Sequence, residues 1–154
     1  MTTRHGLEIR SPLASDAPFL AEFLAGAGHA IPAPELARRL EALRADSGVA
    51  LMASDLGPPI GLIALHWRPS LFATRPIALV TVLLVAAEDR RRGIGRALLK
   101  AGAQAARQAG CGELQLVAPE GRADLVAFGQ NTGFASAGAV FARTLRKGAG
   151  RDLG

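Results

Sequence analysis

One segment constrains the fold more than any other, because residues 77–85 are apolar at almost every position. Alternation along a strand places Ile77, Leu79, Leu83 and Val85 on one face and Ala78, Val80, Val82 and Leu84 on the other. A strand that is apolar on both faces is typical of the centre of a sheet covered on both sides. Thr81 is the only polar residue within it. The segment therefore predicts an α/β architecture.

The elements before this strand follow from hydrophobic periodicity and turn residues. A short strand is predicted at Leu7–Arg10, where apolar and polar residues alternate. Ser15 and Asp16 can cap a helix over residues 15–26, and a second helix is predicted over 34–45, with a proline near its start. Strands over 49–54 and 60–67 are joined by a short turn, which predicts an antiparallel hairpin. A loop over 69–76 then leads into the central strand.

The elements after the central strand begin with the clearest helix of the chain, residues 95–109, which has one apolar stripe and one polar stripe and is followed by Gly110. A strand at 113–117 follows, so the strand–helix–strand unit predicts a right-handed parallel crossover. A shorter helix is predicted over 123–132 and one or two closing strands over 134–145. Residues 147–154 are predicted to form a flexible tail on a single domain spanning 1–154.

The junction between the central strand and the long helix has the sequence Arg90-Arg91-Arg92-Gly93-Ile94-Gly95. Unpaired backbone N–H groups and the positive end of the helix dipole converge at such a junction, so it predicts a site for a phosphate group. A solvated basic face is the alternative interpretation. The sequence is not a Walker loop, because Arg96 and Ala97 stand where that motif has Lys and Ser or Thr. It is not a complete dinucleotide-binding fingerprint either, because Leu98 stands at the position of the third glycine.

The charge balance agrees with a focused anion site. The net charge is +5, and the basic residues are scattered apart from Arg90, Arg91 and Arg92. Aromatic residues make up only 5% of the chain and tyrosine is absent, so a base-stacking surface is poorly supplied. We therefore expect an anionic cofactor and no nucleic-acid partner.

Cysteine usage and hydropathy bear on the compartment. Cys111 is the only cysteine, which excludes an internal disulfide. The first residues lack the apolar segment of a secretory signal, and the longest apolar run is too short to span a bilayer. We expect a cytoplasmic protein with no membrane association.

Four segments together resemble the GNAT acetyltransferase superfamily, over roughly residues 7–145. Residues 90–95 match its signature, Arg/Gln-x-x-Gly-x-Gly/Ala, and residues 83–89 resemble its fourth strand and the exit from it. Residues 110–116 resemble the end of its third helix and its fifth strand. Gly133 and Phe134 match the pair that closes its fourth helix.

The resemblance implies a mixed sheet of six to seven strands with about four helices, splayed between the fourth and fifth strands. It also implies transfer of an acetyl group from acetyl-CoA, as co-substrate and without a metal, to a primary amine of a small molecule or a protein. A homodimer is common in the family. The positions that the resemblance assigns to the co-substrate are Leu83, Leu84, Val85, Arg90, Arg91, Arg92, Gly93, Ile94, Gly95, Arg96 and Ala97.

These positions have different implied roles. Loop amides from Arg91 to Ala97 hold the pyrophosphate, and the arginine side chains supply long-range attraction. The pantetheine arm pairs with the end of the fourth strand as an added strand would. There the Leu83 N–H donates to the thioester carbonyl, where negative charge develops.

The catalytic groups are not assigned by the resemblance. The family's general acid is a tyrosine in the pattern Phe-Tyr-x-x-x-Gly-Phe, and Gly129 stands at that position. A water molecule, oriented by Gln130, Asn131 or Thr132, is one substitute; the ammonium formed in the reaction is another. His66 is the candidate general base because an unperturbed histidine has a pKa of about 6.5. A structural role for His66 is the interpretation that we favour.

Three functions remain open at this point. The first is the N-acetyltransferase, and the second is a catalytically weak or inactive domain that binds acyl-CoA as a sensor or regulator, which Gly129 favours. The third is an unrelated basic domain that binds nucleic acid. Binding of acetyl-CoA separates the first two from the third, and turnover on an amine separates the first from the second.

Overall fold

The computed structural model describes residues 3–4 and 6–146, so the predicted tail at 147–154 lies outside the described residues. The strands are β1 (Thr3–Arg4), β2 (Leu7–Arg10), β3 (Gly48–Asp55), β4 (Pro59–Arg68), β5 (Ile77–Val85) and β6 (Glu113–Leu116). The helices are α1 (Ala17–Gly26), α2 (Ala33–Ala45), α3 (Ile94–Gln108) and α4 (Ala123–Asn131). The strands that resemble the family's fourth and fifth strands in sequence correspond to β5 and β6.

The six strands form one mixed sheet in the order β1-β2-β3-β4-β5-β6. Each neighbouring pair is antiparallel except β5 and β6, which are parallel and connected through α3. The predicted hairpin of β3 and β4 and the predicted parallel crossover are confirmed. The α/β class is confirmed as well, with four helices among the described residues.

The sheet is covered on both faces, as the central strand predicted. One apolar cluster joins the sheet to α3 and α4 through residues such as Ile63, Val80, Leu98 and Leu125. A second cluster joins the opposite face to α1 and α2. Helix α3 approaches the sheet closely at Gly102, where a Cβ would lie 2.9 Å from the Cδ1 atom of Ile63.

A β-bulge at Thr81 changes which side chains share a face. Ala64 pairs with Val82 and Leu65 pairs with Val80, so Thr81 has no partner on β4. Because one extra residue inverts the alternation, Leu83 and Val85 lie on the α3 face together with Ala78 and Val80. The predicted grouping of Leu83 and Val85 with Ile77 and Leu79 is therefore wrong.

The predicted closing strands at 134–145 are also wrong, because residues 132–146 form no helix or strand. Every residue from 135 to 146 is exposed, including Val140 and Phe141. Small residues fill positions 135–139, and they offer little apolar surface with which a strand could be held at the sheet edge.

Asp16 has a different role from the predicted helix cap. It precedes α1, but its carboxylate accepts the Leu13 N–H at 2.6 Å and makes no capping bond to α1. The same carboxylate accepts two hydrogen bonds from the Arg10 guanidinium, at 2.7 and 2.9 Å. Asp16 therefore ties the turn before α1 to strand β2. The hydrogen bonds from Arg10 are the main reason that the pKa of Asp16 is lowered.

Candidate functional site

Strands β5 and β6 separate halfway along β5. Their pairing runs from Ile77 with Glu113 to Val80 with Leu116, and the Val117 N–H then donates to the Val80 carbonyl at 3.1 Å. Beyond that point only the β4 side of β5 is paired among the described residues. The sheet is therefore splayed over the second half of β5, at the place that the resemblance implied.

Backbone polar groups of β5 face this opening. In an antiparallel pair, residues alternate between those that exchange hydrogen bonds with the partner and those that do not. The Ala86 N–H donates to the Ile60 carbonyl at 2.8 Å, and the register continues from there without a shift to Val82. The alternation therefore directs the N–H groups of Leu83 and Val85 away from β4 and toward the opening.

A cleft of about 550 Å³ lies at this opening, between β5, the start of α3 and helix α4. This volume is within the range of small-molecule sites, about 300–1,000 Å³. Its walls combine the β5–α3 junction with one side of α4. The α4 side comprises Arg122, Asp124, Leu125, Ala127, Phe128 and Asn131.

Eight of the eleven predicted co-substrate positions line the cleft, namely Leu83, Val85, Arg90, Arg91, Gly93, Ile94, Gly95 and Arg96. The other three do not line it. Leu84 packs on the opposite face of the sheet with the α1 and α2 cluster. The Arg92 guanidinium bonds to two carboxylates, and the Ala97 N–H donates to the Gly93 carbonyl at 3.0 Å within the first turn of α3.

The loop before α3 has a backbone suited to anions. Arg91 and Gly93 both adopt left-handed conformations, with φ of 68° and 81°. Left-handed residues among right-handed ones turn successive N–H groups toward one point, where an anion can bind. Gly93 is the N-cap of α3 and makes no side-chain cap, and the N–H groups of a first helical turn have no partner within the helix. The residues that carry these donors, from Gly93 to Arg96, line the cleft.

The side chains of the cleft carry a net positive charge, because Arg90, Arg91, Arg96 and Arg122 line it together with only two carboxylates. Arg122 pairs with Asp124 at 3.0 Å, and this hydrogen bond is the main reason that the pKa of Asp124 is lowered. Arg96 donates to the Asn131 carbonyl at 3.4 Å. An anionic ligand therefore fits the electrostatics of this site.

Close packing explains why a small residue stands at position 95. A Cβ at Gly95 would lie 3.3 Å from the Cε1 atom of Phe128, on α4. Even the Cβ of an alanine at this position would require the Phe128 ring to shift by a few tenths of an ångström. The contact between α3 and α4 therefore favours a glycine at the second glycine of the signature.

The structure does not bring His66 into the cleft. His66 pairs with Gly48 and Leu79 on the unsplayed half of the sheet, and it lies three residues along β4 from Ile63, the partner of Leu83. At about 3.3 Å per strand residue, this corresponds to about 10 Å along the strand. Its neighbours Leu65 and Trp67 pack toward α3, so His66 lies on the other face. A catalytic role for His66 stays a prediction.

Gly129 is buried in α4, and a Cβ there would lie 3.2 Å from the Cδ2 atom of Leu116. Leu116 therefore occupies the space into which a side chain at position 129 would point. Of the three residues suggested to orient a water molecule, only Asn131 lines the cleft. Thr132, just after α4, donates its hydroxyl back to the helix, at 2.7 Å to the Phe128 carbonyl.

Other chemistry is sparse in the part of the chain that the structure describes. Cys111 is half-buried beside the α3 cluster, and burial raises the pKa of its thiol. Within residues 3–4 and 6–146, no three histidine, cysteine or acidic side chains come together as a metal site would require. No helix of those residues has the length and apolar character needed to cross a bilayer.

Several residues of the site were not found from the sequence. Leu125 and Phe128 belong to α4 and Arg122 immediately precedes it; the sequence placed this helix correctly but without a role in binding. Their position on the cleft depends on how α4 packs against α3. The link between Arg92 and Asp55 joins residues 37 positions apart, and no local pattern signals it.

Known structures share this fold. An acetyltransferase from Trypanosoma brucei superposes with a TM-score of 0.78 at 24% identity, over 90% of this chain and 99% of that chain. A ribosomal-protein-alanine N-acetyltransferase from Brucella melitensis has a TM-score of 0.77 at 22% identity, over 92% of this chain and 100% of its own. The glucosamine-6-phosphate N-acetyltransferase of Arabidopsis thaliana has a TM-score of 0.77 at 15% identity, over 91% of this chain and 99% of that chain.

A search of curated protein sequences found no significant match. The sequence does match the model of the acetyltransferase (GNAT) family over residues 18–134, which include all of α1 except Ala17, helices α2 to α4, strands β3 to β6 and the whole cleft. The splayed sheet and the glycine-containing loop lie within that match. The chain belongs to the acetyltransferase (GNAT) family.

Proposed function

We propose that this chain is an N-acetyltransferase that uses acetyl-CoA and acetylates a primary amine by direct transfer. The observation that carries the proposal is the opening of the sheet beside Leu83, next to the left-handed loop at 91–93. One ligand with a peptide-like arm and a pyrophosphate would satisfy both features. Family membership supports the acyltransferase activity.

The residues of the cleft fit acetyl-CoA by the chemistry of their donors. The amides of Leu83 and Val85 are directed into the opening, so they can pair with the amide groups of a pantetheine arm. The amides around Gly93 and the start of α3 suit a pyrophosphate, and Arg90 and Arg91 add attraction at longer range. Acetyl-CoA would supply an activated acetyl thioester.

The chain's own contribution to the reaction is binding and polarisation. A fixed N–H donor beside a carbonyl stabilises the negative charge that develops when an amine attacks, and removing one such donor commonly costs about 10²–10³ in kcat. We propose the Leu83 N–H for this role. The donor belongs to the backbone of a strand that is paired with β4, so it needs no reorganisation during the reaction.

We propose that protonation of the leaving thiolate does not depend on a tyrosine. The chain contains none, and Leu116 closes the space beside Gly129. A simple thiol has a pKa of about 8.5, so its thiolate is a weak base, and water can protonate it. Of Gln130, Asn131 and Thr132, Asn131 is the residue that lines the cleft, and we propose that it orients that water.

The acceptor amine is proposed only as a class. The three relatives are named for a protein alanine in one case and a phosphorylated sugar in another, so the shared fold does not select between them. The test is release of free thiol from acetyl-CoA over a panel of amines that includes peptide N-termini, amino sugars and aminoglycosides. Turnover on any member above the rate without acceptor supports the enzyme.

A second candidate is an acyl-CoA sensor that binds without turnover, and Gly129 is the observation that favours it. The same panel separates the two. Tight binding of acetyl-CoA with no thiol release on any amine would support the sensor. The thiol-release assay also detects the protein's own Cys111. Because burial raises the pKa of this thiol, its reaction with the thiol reagent should be slow, and a Cys111→Ser variant measures how much of the signal it contributes.

A further inference from the structure

Arg92 is the loop arginine whose side chain is held by two carboxylates. Its Nη2 atom lies 2.6 Å from Oδ2 of Asp55, and its Nη1 atom lies 2.5 Å from Oδ1 of Asp89. The hydrogen bonds to Asp55 and Asp89, in that order, raise the pKa of Arg92 above its ordinary value. Both carboxylates are less exposed than the guanidinium, at 22% and 15% against 47%.

The two carboxylates come from distant parts of the chain. Asp55 is the last residue of β3, and Asp89 ends the single 3-10 turn, Ala87–Asp89, that follows β5. The guanidinium of Arg92 therefore connects the β3–β4 turn to the segment that leads into the α3 loop. A planar, forked donor can bridge two carboxylates in this way, whereas a lysine ammonium offers a single charged centre.

The loop contains backbone strain at the residue next to Arg92. Arg91 has φ of 68°, a left-handed conformation that is unfavourable for a residue with a side chain. Strained conformations persist where the surrounding structure holds them. Arg92 stands between Arg91 and Gly93, both of which are left-handed, so a tether at Arg92 acts on the part of the loop that bends most sharply.

We propose that Arg92 is a positioning residue, which holds the loop at 91–93 in its anion-binding conformation by bridging Asp55 and Asp89. Its effect on acetyl-CoA rests on the proposed function, but the effect on the loop does not. Arg92 also lies outside the lining of the cleft, whereas Arg90 and Arg91 form part of it.

The alternative is that Arg92 itself binds phosphate, and the two roles predict opposite effects of Asp55→Asn. Asp55 does not line the cleft. If Arg92 were a phosphate ligand, removing this carboxylate would release the guanidinium and lower the local negative charge, so acetyl-CoA would bind more tightly. If Arg92 is a tether, the same change loosens the loop and acetyl-CoA binds less tightly. The sign of the change therefore decides.

The first experiment measures amide hydrogen exchange of residues 90–93 in the free protein. The Asp55→Asn and Arg92→Lys variants should exchange faster there, by about two- to fivefold, as expected for loss of an exposed ion pair. Glu41→Gln is the matched control, because it removes one negative charge from an exposed pair with Arg44 on α2. It should leave exchange at 90–93 unchanged. Unchanged exchange in Asp55→Asn would overturn the proposal.

The second experiment measures the Kd of acetyl-CoA and of S-acetylpantetheine, which lacks the pyrophosphate. Asp55→Asn should raise the Kd of acetyl-CoA by about two- to fivefold and leave that of S-acetylpantetheine unchanged. Tighter binding of acetyl-CoA would overturn the positioning role. If the unmodified protein bound no acetyl-CoA while Asp55→Asn still loosened the loop, the tether would stand and the proposed function would fail.

Discussion

Gly93→Ala is the substitution that tests the anion-binding loop most selectively. Gly93 has φ of 81°, and an alanine there adopts the left-handed region at a cost of about 1–2 kcal/mol. The lower entropy of the unfolded alanine chain offsets about 0.4–1 kcal/mol of that. The free energy of unfolding should therefore fall by about 1 kcal/mol, which corresponds to a decrease in Tm of about 2–4 °C for a chain of this size.

The effect of Gly93→Ala on binding should be larger than its effect on stability. Relaxation of the left-handed bend turns at least one loop amide away from the pyrophosphate. A hydrogen bond to a charged group contributes about 1.5–3 kcal/mol. The Kd of acetyl-CoA, measured by titration calorimetry, should accordingly rise by about 10- to 100-fold.

Gly110→Ala is the matched control for Gly93→Ala. Gly110 follows the opposite end of the same helix, has φ of +88°, and a Cβ there would meet no atom within 4 Å. An alanine at position 110 should be strained in the same way, so the free energy of unfolding should fall by the same amount as in Gly93→Ala. The Kd of acetyl-CoA should stay within about twofold of its value for the unmodified protein. The reasoning is refuted if Gly93→Ala binds like the unmodified protein, or if both variants lose affinity equally.

Three further predictions concern folding and the catalytic end of the cleft. Asp16→Asn should lower the free energy of unfolding at pH 7 by about 1–2 kcal/mol. Because hydrogen bonds from Arg10 lower the pKa of Asp16 from its ordinary value of 3.8, this difference should begin to shrink as the pH falls below 3.8 and should vanish once the pH is below the lowered pKa; urea titrations from pH 7 to about pH 2 measure the loss. Gly129→Tyr alone should lower the free energy of unfolding by about 1–3 kcal/mol, because the ring would overpack against Leu116. Combining it with Leu116→Ala should restore much of that stability and raise kcat by about tenfold or more. No gain in kcat in the double variant would argue against a general acid at this position. Gly102→Leu should cost about 1–3 kcal/mol in urea unfolding, because α3 packs against the sheet there, and unchanged stability would contradict that packing.

The sequence was sufficient where a local pattern determines the structure. The apolar run of β5 and the stripes of α3 were placed within about two residues of their ends, since periodicity and a following glycine mark them. The loop between them was predicted to be an anion site because its position, after a strand and before a helix, directs N–H groups to one point, and binding of an anion there stays a prediction. Eight of the eleven predicted positions line the cleft for the same reason.

The failures have in common that they depend on contacts distant in the sequence. The bulge at Thr81 arises from the register with β4, and it moves Leu83 and Val85 to the α3 face. The closing strands at 134–145 needed a partner strand, which a propensity does not supply. The bridge from Arg92 to Asp55 spans 37 residues. Such features follow from tertiary packing, so only the structure could show them.

The most direct test of the account is a calorimetric comparison of acetyl-CoA with S-acetylpantetheine on the unmodified protein. If the loop at 91–93 holds the pyrophosphate and the edge of β5 holds the arm, acetyl-CoA should bind at one site per chain. Loss of the phosphate contacts should weaken S-acetylpantetheine by about tenfold or more, since each tenfold corresponds to about 1.4 kcal/mol. Equal affinity for the two ligands, or no binding of acetyl-CoA, would contradict the account.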